Sequence, residues 1–147
     1  MPGTFAISST FAAFTCPASP KNLISSLRLF GPIPAIPSKI DASEDAWMAA
    51  WNETMMVNLT SPAILCKKAI DHFIKRKSSG RIINISSRAA FKGDQAEYLA
   101  YAASKAGLVS LTKSIASSFG KEGIKAFVVA PGFVRTDMAK DFMGQYG

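Results

Sequence analysis

The chain has 147 residues, 48 % of them apolar, with 17 basic and 10 acidic side chains and two cysteines. This length and composition exclude a collagen, a disulfide-stapled miniprotein and a wholly disordered chain, and they allow a hydrophobic core of ordinary size. Cys16 and Cys66 are too few for a metal cluster or a disulfide framework, so we expect reduced thiols in a cytoplasmic protein and no metal. No apolar run reaches the roughly 18 residues of a membrane-spanning helix, and we expect no membrane partner.

Charge and proline content divide the sequence near Asp41. Residues 1–40 contain three basic side chains, no acidic ones and six of the eight prolines, whereas residues 41–147 contain 14 basic and 10 acidic side chains. Part of the net charge of +7 therefore comes from a segment of unusual composition. The basic residues of the segment 67–77 fall on one amphipathic helix and lack an aromatic stacking platform. We therefore expect a solvated helix face and no nucleic-acid partner.

The first 40 residues are rich in Ser, Thr, Phe and Pro and show no sustained hydrophobic period. A secretory signal requires a basic start and an unbroken apolar stretch, and this segment has neither. A transit peptide fits the lack of acidic residues, but Arg28 is the only arginine among these 40 residues. The third interpretation is an irregular arm with one short strand at residues 27–30.

From Asp41 onward the sequence alternates between helical and strand patterns. Asp41 precedes Glu44 by three residues, a capping pattern that predicts a helix start, and Ala and Trp residues then recur at helical spacing. A second helix is predicted over residues 57–76. Its core face and its solvent face have opposite character, with Leu65, Ala69, Ile70 and Phe73 on the first and Lys67, Lys68, Asp71 and Lys75 on the second.

Residues 81–86 and 124–129 are short, apolar and β-branched, which is typical of strands buried on both faces of a parallel sheet. A long helix predicted over residues 98–120 separates them. Strand, helix and strand at this spacing form a right-handed βαβ crossover, so the predicted fold class is α/β.

The predicted long helix carries a stripe of small residues, namely Ala100, Ala103, Gly107, Ser110 and Ser114. Such a stripe lets a second helix approach closely. That helix can belong to the same chain or to another subunit, and the sequence leaves both open. The second possibility predicts a homo-oligomer formed through the helix over residues 98–120.

Tyr101 and Lys105 are four residues apart on this helix, so their side chains share a face. An ammonium beside a phenol favours the phenolate, which can act as a general acid or base on a carbonyl or alcohol. By itself the spacing is also typical of an ordinary exposed pair. Ser87, at the end of the preceding strand, strengthens the chemical interpretation. Ligands bind at the carboxyl ends of parallel strands, where its hydroxyl can bond the same substrate oxygen.

Four motifs occur in order: Val-Asn-Leu at 57–59, Asn-Ile-Ser-Ser at 84–87, Tyr-Ala-Ala-Ser-Lys at 101–105 and Pro-Gly-Phe-Val-Arg-Thr-Asp at 131–137. Together they resemble the second half of a short-chain dehydrogenase/reductase, over roughly residues 41–147. The last motif and its flanking residues look most like β-ketoacyl-acyl-carrier-protein reductases. The resemblance implies a partial doubly wound, Rossmann-type parallel sheet with flanking helices, and an NAD(P)-dependent oxidoreductase.

The same resemblance implies roles for individual residues. Tyr101 would give or take the proton at the substrate oxygen, Lys105 would favour its phenolate and hold the nicotinamide ribose, and Ser87 would orient the carbonyl. Asn58 would position a water that links Lys105 to solvent, and Ser86 would be a bystander. The residues expected around the nicotinamide end of NAD or NADP are Tyr101, Lys105, Pro131, Gly132, Val134 and Thr136.

The first half of the family's sequence pattern is not recognisable. The sequence contains no glycine-rich turn for the cofactor pyrophosphate and no Asn-Asn-Ala-Gly motif. We therefore expect residues 1–40 to be an atypical arm or an unrelated segment. Residues 41–147 are then the catalytic half of the domain, truncated at its C-terminus. This interpretation predicts weak or no dinucleotide binding by the isolated chain.

The predicted reaction is reduction of a carbonyl, a 3-oxoacyl thioester on an acyl carrier being one candidate, or oxidation of the corresponding small-molecule alcohol. The alternative is a truncated, inactive remnant that acts at most as an interaction or oligomerisation module. His72 is the only histidine and lies away from the motifs, which argues against a Ser-His-Asp hydrolase or a zinc hydrolase.

Overall fold

The computed structural model describes residues 36–132 and, for the backbone alone, residues 3–8 and 12–15. It contains the strands β1 (Gly3–Ser8), β2 (Ala12–Thr15), β3 (Gly80–Ile85) and β4 (Ile124–Val129). They form one sheet in the order β2-β1-β3-β4. β1, β3 and β4 are parallel, and β2 pairs antiparallel with β1. The predicted α/β class is therefore confirmed.

The strands β1 and β2 differ from the interpretation of residues 1–40 as an irregular arm. The segment Gly3–Ser8 contains Thr, Phe and Ile, which favour strands, and all six of its residues pair with β3. Gly3 and Gly80 pair in the sheet although they lie 77 positions apart, so no local sequence pattern predicts that β1 pairs with β3. The predicted strand at residues 27–30 lies outside the described residues, and an unrelated origin of the segment stays a prediction.

The three predicted helices occur in the predicted order, and a fourth, of four residues, was not predicted. They are α1 (Glu44–Met55), α2 (Ser61–Lys75), α3 (Ala89–Lys92) and α4 (Leu99–Phe119), with one 3₁₀ turn (Ala96–Tyr98) before α4. The cap of α1 is Ser43 rather than Asp41, because the Ser43 hydroxyl accepts the N–H of Ala46 at 3.3 Å. In the part of the chain that is described, no helix is long and apolar enough to cross a membrane.

α1 and α2 are not separated by a loop but joined by a π turn, Met56–Thr60. Pro62 has no N–H to donate to the carbonyl of Asn58, four residues earlier, as an α-helix requires. Around this missing hydrogen bond, main-chain N–H groups donate to the carbonyl five residues earlier instead of four. The N–H and the hydroxyl of Ser61 both bond the carbonyl of Met56, the hydroxyl at 2.9 Å. The widened turn holds Asn58 in the interior, where it is 0 % exposed.

α2 and α4 cover one face of the sheet. The connections from β1 to β3 and from β3 to β4 step in the same direction, so the preference for right-handed crossovers places their helices on the same side. The predicted core face of the second helix is confirmed there. The buried core consists of Cys66, Ala69, Ile70 and Phe73 from α2, Ile82 from β3, Ile115 from α4 and Ile124 from β4.

The opposite face of β4 is open among the described residues, so the prediction that this strand is buried on both faces is wrong. Phe127 and Val129 are 47 % and 46 % exposed, whereas Ile124 on the covered face is fully buried. β3 is better protected, since Ile83 and Ile85 on its second face are half-buried. A β-branched apolar segment suits one covered face as well as two, and the sequence pattern alone does not separate the cases.

Candidate active site

The carboxyl ends of the three parallel strands meet at one edge of the sheet. Ser8, Ile85 and Val129 are in register there. Ser86 extends the edge by one residue, because its N–H donates to the carbonyl of Val129 at 2.7 Å. Since ligands of parallel α/β sheets bind outside this edge, a functional site is expected there.

Tyr101 and Lys105, on the first turns of α4, lie against this edge. The Nζ atom of Lys105 is 5.6 Å from the centroid of the Tyr101 ring, and it donates to the carbonyl of Ile85 at 3.2 Å. Lys105 is only 1 % exposed and Tyr101 is half-buried. The alternative of an ordinary exposed pair is therefore wrong, since the lysine is buried at the end of β3.

Burial lowers the pKa of Lys105. Removing the ammonium from water disfavours its charged form, and the pKa of Lys105 falls from 10.5 to about 8. At neutral pH the Lys105 side chain still carries its proton in most molecules. The site therefore holds a positive charge beside the Tyr101 ring.

The two serines after β3 differ in what their hydroxyls do. Ser86 is 5 % exposed, and its hydroxyl donates to the main-chain carbonyl of Lys105 at 2.9 Å. Ser87 is half-buried, and its Oγ accepts the N–H of Ala89 at 3.2 Å. A hydroxyl that accepts one bond keeps its own proton for another acceptor. The Ser87 hydroxyl can thus donate a hydrogen bond to a substrate oxygen, whereas the Ser86 hydroxyl already donates its proton to the Lys105 carbonyl.

Asn58 lies in the π turn that packs on α4. It is fully buried, and both its amide nitrogen and its amide oxygen lack a hydrogen-bond partner among the described residues. A buried amide without partners costs about 1–3 kcal/mol, so such groups normally bind water or a ligand. The donor and acceptor of Asn58 are therefore suited to holding the water that, by the family resemblance, would link Lys105 to solvent.

Only part of the predicted cofactor-binding segment falls within the described residues. Pro131 is half-buried and Gly132 is exposed, and both follow β4 at the carboxyl edge. Val134 and Thr136 lie outside the described residues. Within residues 36–132, no three or more His, Cys, Asp or Glu side chains lie together in a way that could hold a metal ion.

One buried polar cluster was missed by the sequence analysis. Asn84 of β3 is fully buried, its amide donates to the Thr112 hydroxyl at 2.9 Å, and its amide nitrogen lies 3.6 Å from the Cys66 sulfur. Thr112 donates in turn to the carbonyl of Leu108 at 2.7 Å. Burial raises the pKa of the Cys66 thiol, which stays protonated at neutral pH. An asparagine in an apolar strand was the available signal, because a buried amide needs partners on neighbouring elements.

Comparison with known proteins agrees with this arrangement. The family model described as short chain dehydrogenase matches residues 36–146. The chain belongs to the short-chain dehydrogenase family. It is 38 % identical over 91 residues to a 3-oxoacyl-[acyl-carrier-protein] reductase of Synechocystis sp. The matched region covers 62 % of this chain and 36 % of that reductase. The reductase of the same name from Salmonella typhimurium is 34 % identical over 132 residues, covering 86 % and 53 %.

Solved structures of short-chain dehydrogenases show the same fold. The complex of 4-hydroxyisoleucine dehydrogenase with NADH has a TM-score of 0.63 at 31 % identity, over 75 % of this chain and 46 % of that one. An Agrobacterium tumefaciens protein with bound NADP has a TM-score of 0.68 at 26 % identity, over 80 % and 45 %. The family and the partial Rossmann-type sheet are therefore confirmed. The chain spans about a third to a half of the length of these relatives.

Proposed function

We propose that this short-chain dehydrogenase chain carries the catalytic half of an NAD(P)-dependent oxidoreductase, which reduces a carbonyl or oxidises the corresponding alcohol. The observation that carries the proposal is the buried ammonium of Lys105, held beside the Tyr101 ring at the carboxyl end of β3. A cation kept at this cost of desolvation is typical of sites that perform acid–base chemistry. The reductases and dehydrogenases among the relatives support the same class of reaction.

The carboxyl edge suits the nicotinamide end of a dinucleotide. The Lys105 ammonium has three protons to donate and can bond a ribose hydroxyl, and the Asn58 amide, which has no partner among the described residues, can bind a bridging water. A Cβ atom added at Gly132 would meet no atom of the described residues within 4 Å, so the rest of the described chain leaves space beside this backbone. When bound, the reduced cofactor would supply the hydride for reduction, and its oxidised form would accept the hydride in the reverse reaction. The residues that would hold it are Tyr101, Lys105, Pro131, Gly132, Val134 and Thr136.

The side chains of the chain itself handle the substrate oxygen and the proton. The Tyr101 hydroxyl donates its proton to that oxygen during reduction and takes it back during oxidation. Ser87 donates a hydrogen bond to the same oxygen and polarises the carbonyl. The Lys105 ammonium favours the phenolate that remains on Tyr101. Water held by Asn58 then returns a proton from solvent by way of Lys105.

The substrate proposed is a 3-oxoacyl thioester on an acyl carrier, because the reductases of Synechocystis and Salmonella typhimurium carry that specificity in their names. A free small-molecule carbonyl or alcohol is the second candidate, supported by the similarity to 4-hydroxyisoleucine dehydrogenase. The two are distinguished by comparing a 3-oxoacyl thioester with the corresponding free β-keto acid at equal concentration.

We expect the 147-residue chain to bind dinucleotides weakly, because its sequence contains no glycine-rich turn to bind the pyrophosphate at a helix N-terminus. NADPH and NADH are titrated against the chain by fluorescence, and reduction of a 3-oxoacyl thioester is then followed by mass spectrometry at millimolar cofactor. Micromolar affinity would overturn the expected weak binding. Product above the protein-free blank supports the proposed chemistry, whereas its absence favours the inactive interaction module.

We also propose self-association through the exposed end of α4. In the stripe of small residues, Ser110 and Ser114 are exposed. Gly107 instead packs within the chain, because a Cβ atom there would lie only 2.8 Å from Cδ2 of Leu59. Sedimentation velocity should show a dimer or larger species at high concentration, which the double variant Ser110→Glu, Ser114→Glu dissociates. A wild-type chain that stays monomeric throughout would rule out the contact.

A further inference from the structure

Lys105 is tied to the end of β3 at two separate points. Its ammonium donates to the carbonyl of Ile85 at 3.2 Å, and its main-chain carbonyl accepts the hydroxyl of the next residue, Ser86, at 2.9 Å. Two consecutive residues at one strand end therefore hold both ends of one lysine. We propose that Ser86, expected from the sequence to be a bystander, is a positioning residue that fixes Lys105 and its helix turn against β3.

Ser86 is itself held firmly enough for this role. It is 5 % exposed, and its N–H donates to the carbonyl of Val129, so β3 and β4 both hold its backbone in place. Inside an α-helix, the carbonyl of Lys105 already has a donor four residues further on. The hydroxyl of Ser86 is therefore an additional donor, and its effect is to set the position of α4 relative to the strand end.

The position of Ser86 also affects the neighbouring catalytic residue. Ser87, which offers its proton to the substrate oxygen, is the next residue after Ser86. A fixed Ser86 thus holds Ser87 on one side and the Tyr101–Lys105 turn on the other in one geometry. The catalytic importance of this link rests on the proposed function, whereas the positioning of Lys105 can be measured on the chain without cofactor or substrate.

The test measures the titration of Lys105 by NMR on protein labelled with ¹³C at the lysine ε carbon, the signal being assigned from its loss in Lys105→Met. In Ser86→Ala the turn loses one of its two links to the end of β3, the bond to the Lys105 carbonyl, and water reaches the ammonium. We expect the pKa of Lys105 to rise from about 8 by about one unit toward 10.5. Ser86→Thr keeps the hydroxyl and should restore the wild-type titration.

The groups in contact with the Lys105 side chain are the Tyr101 ring and the Ile85 carbonyl, and the π turn that packs on α4 adds the uncharged Asn58 amide. The other elements packed against α4 are α1, α2, α3, the 3₁₀ turn, β3 and β4. Their charged side chains, with that of Arg88 just before α3, are all exposed, namely Glu44, Asp45, Glu53, Lys67, Lys68, Asp71, Lys75, Arg81, Arg88, Lys92, Glu97 and Lys125, and their other titratable side chains are Cys66, His72 and Tyr98. None of these is changed by substituting Ser86. The matched control is Ser104→Ala, which also removes a buried hydroxyl donating to a carbonyl of α4, that of Tyr101 at 2.7 Å, but touches no link to β3.

The control should destabilise the chain without moving the titration of Lys105. If Ser86→Ala does not fold, Ser86→Cys carries the test, because it keeps the volume of the side chain but is a weaker donor. A raised pKa in the alanine or cysteine variant, with wild-type behaviour in Ser104→Ala, supports the proposal. An unchanged Lys105 titration in the folded Ser86 variant, or an equal shift in Ser104→Ala, would overturn it.

Discussion

Replacing Tyr101 by Phe should lower the rate of carbonyl reduction by about 10²- to 10⁴-fold, which is the range of general acid–base catalysis by a positioned side chain. The change removes one hydroxyl and keeps the ring that lies 5.6 Å from the Lys105 ammonium. Because the ring is half-buried and stays in place, the fold should be preserved. The measurement is the initial rate of product formation from a 3-oxoacyl thioester at a fixed millimolar concentration of NADPH.

The matched control for this variant is Tyr98→Phe. Tyr98 is also half-buried and lies three residues before Tyr101, but the residue four positions after it is Ala102 rather than a lysine. The control should keep the wild-type rate. Equal losses in the two variants would show that the phenol of Tyr101 has no special role, and an unchanged rate in Tyr101→Phe would contradict the proposed mechanism directly.

Replacing Lys105 by Met should stabilise the folded chain at pH 7, by about 2 kcal/mol. The pKa of Lys105 lies about 2.5 units below 10.5, and one unit corresponds to 1.36 kcal/mol, so burying the charged form costs about 3 kcal/mol. Loss of the bond from Nζ to the carbonyl of Ile85 offsets about 1 kcal/mol of the gain. Methionine fills nearly the same volume without a charge.

The stabilisation by Lys105→Met should disappear as the pH rises. Below pH 8 the lysine is protonated in both the folded and the unfolded chain, and folding carries the full cost of desolvation. Between about pH 8 and 10.5 the unfolded chain binds a proton that the folded chain has released, so wild-type stability increases with pH in this window. Urea unfolding of both proteins at pH 7 and pH 10 measures the two differences.

The control for the pH effect is Lys113→Met, on the same helix but exposed. An exposed lysine has no such cost to release, so its replacement should change stability little, and equally at both pH values. If Lys105→Met is less stable than the wild type by the same amount at pH 7 and pH 10, burial of the charged ammonium does not destabilise the folded chain.

The elements around the site could be predicted closely because their patterns are local. β4 occupies residues 124–129 as predicted, and β3 begins one residue early, since β-branched apolar runs between Gly-containing turns delimit strands sharply. The face of α2 toward the core followed from helical periodicity. The Tyr101 and Lys105 pair was recognisable because both members carry chemistry in their side chains.

What the sequence did not predict depends on non-local or main-chain partners. β1 exists through pairing with β3, and no residue within it encodes that partner. The carbonyl of Ile85 holds Lys105, but every residue has a carbonyl, so nothing in the sequence marks this one. The role of the Ser86 hydroxyl was hidden for the same reason. The π turn was signalled only by Pro62, four residues after Asn58.

The π turn has the same effect on the helix as the insertion of one residue, which turns everything after it by about 100° around the axis. The continuous run from Glu44 to Lys75 can therefore face two different surfaces, with α1 packing on α4 and α2 packing on β1 and β3. Deleting one residue within Met56–Thr60 would rotate Cys66 and Phe73 away from the sheet. This stretch should tolerate changes of residue type far better than changes of length.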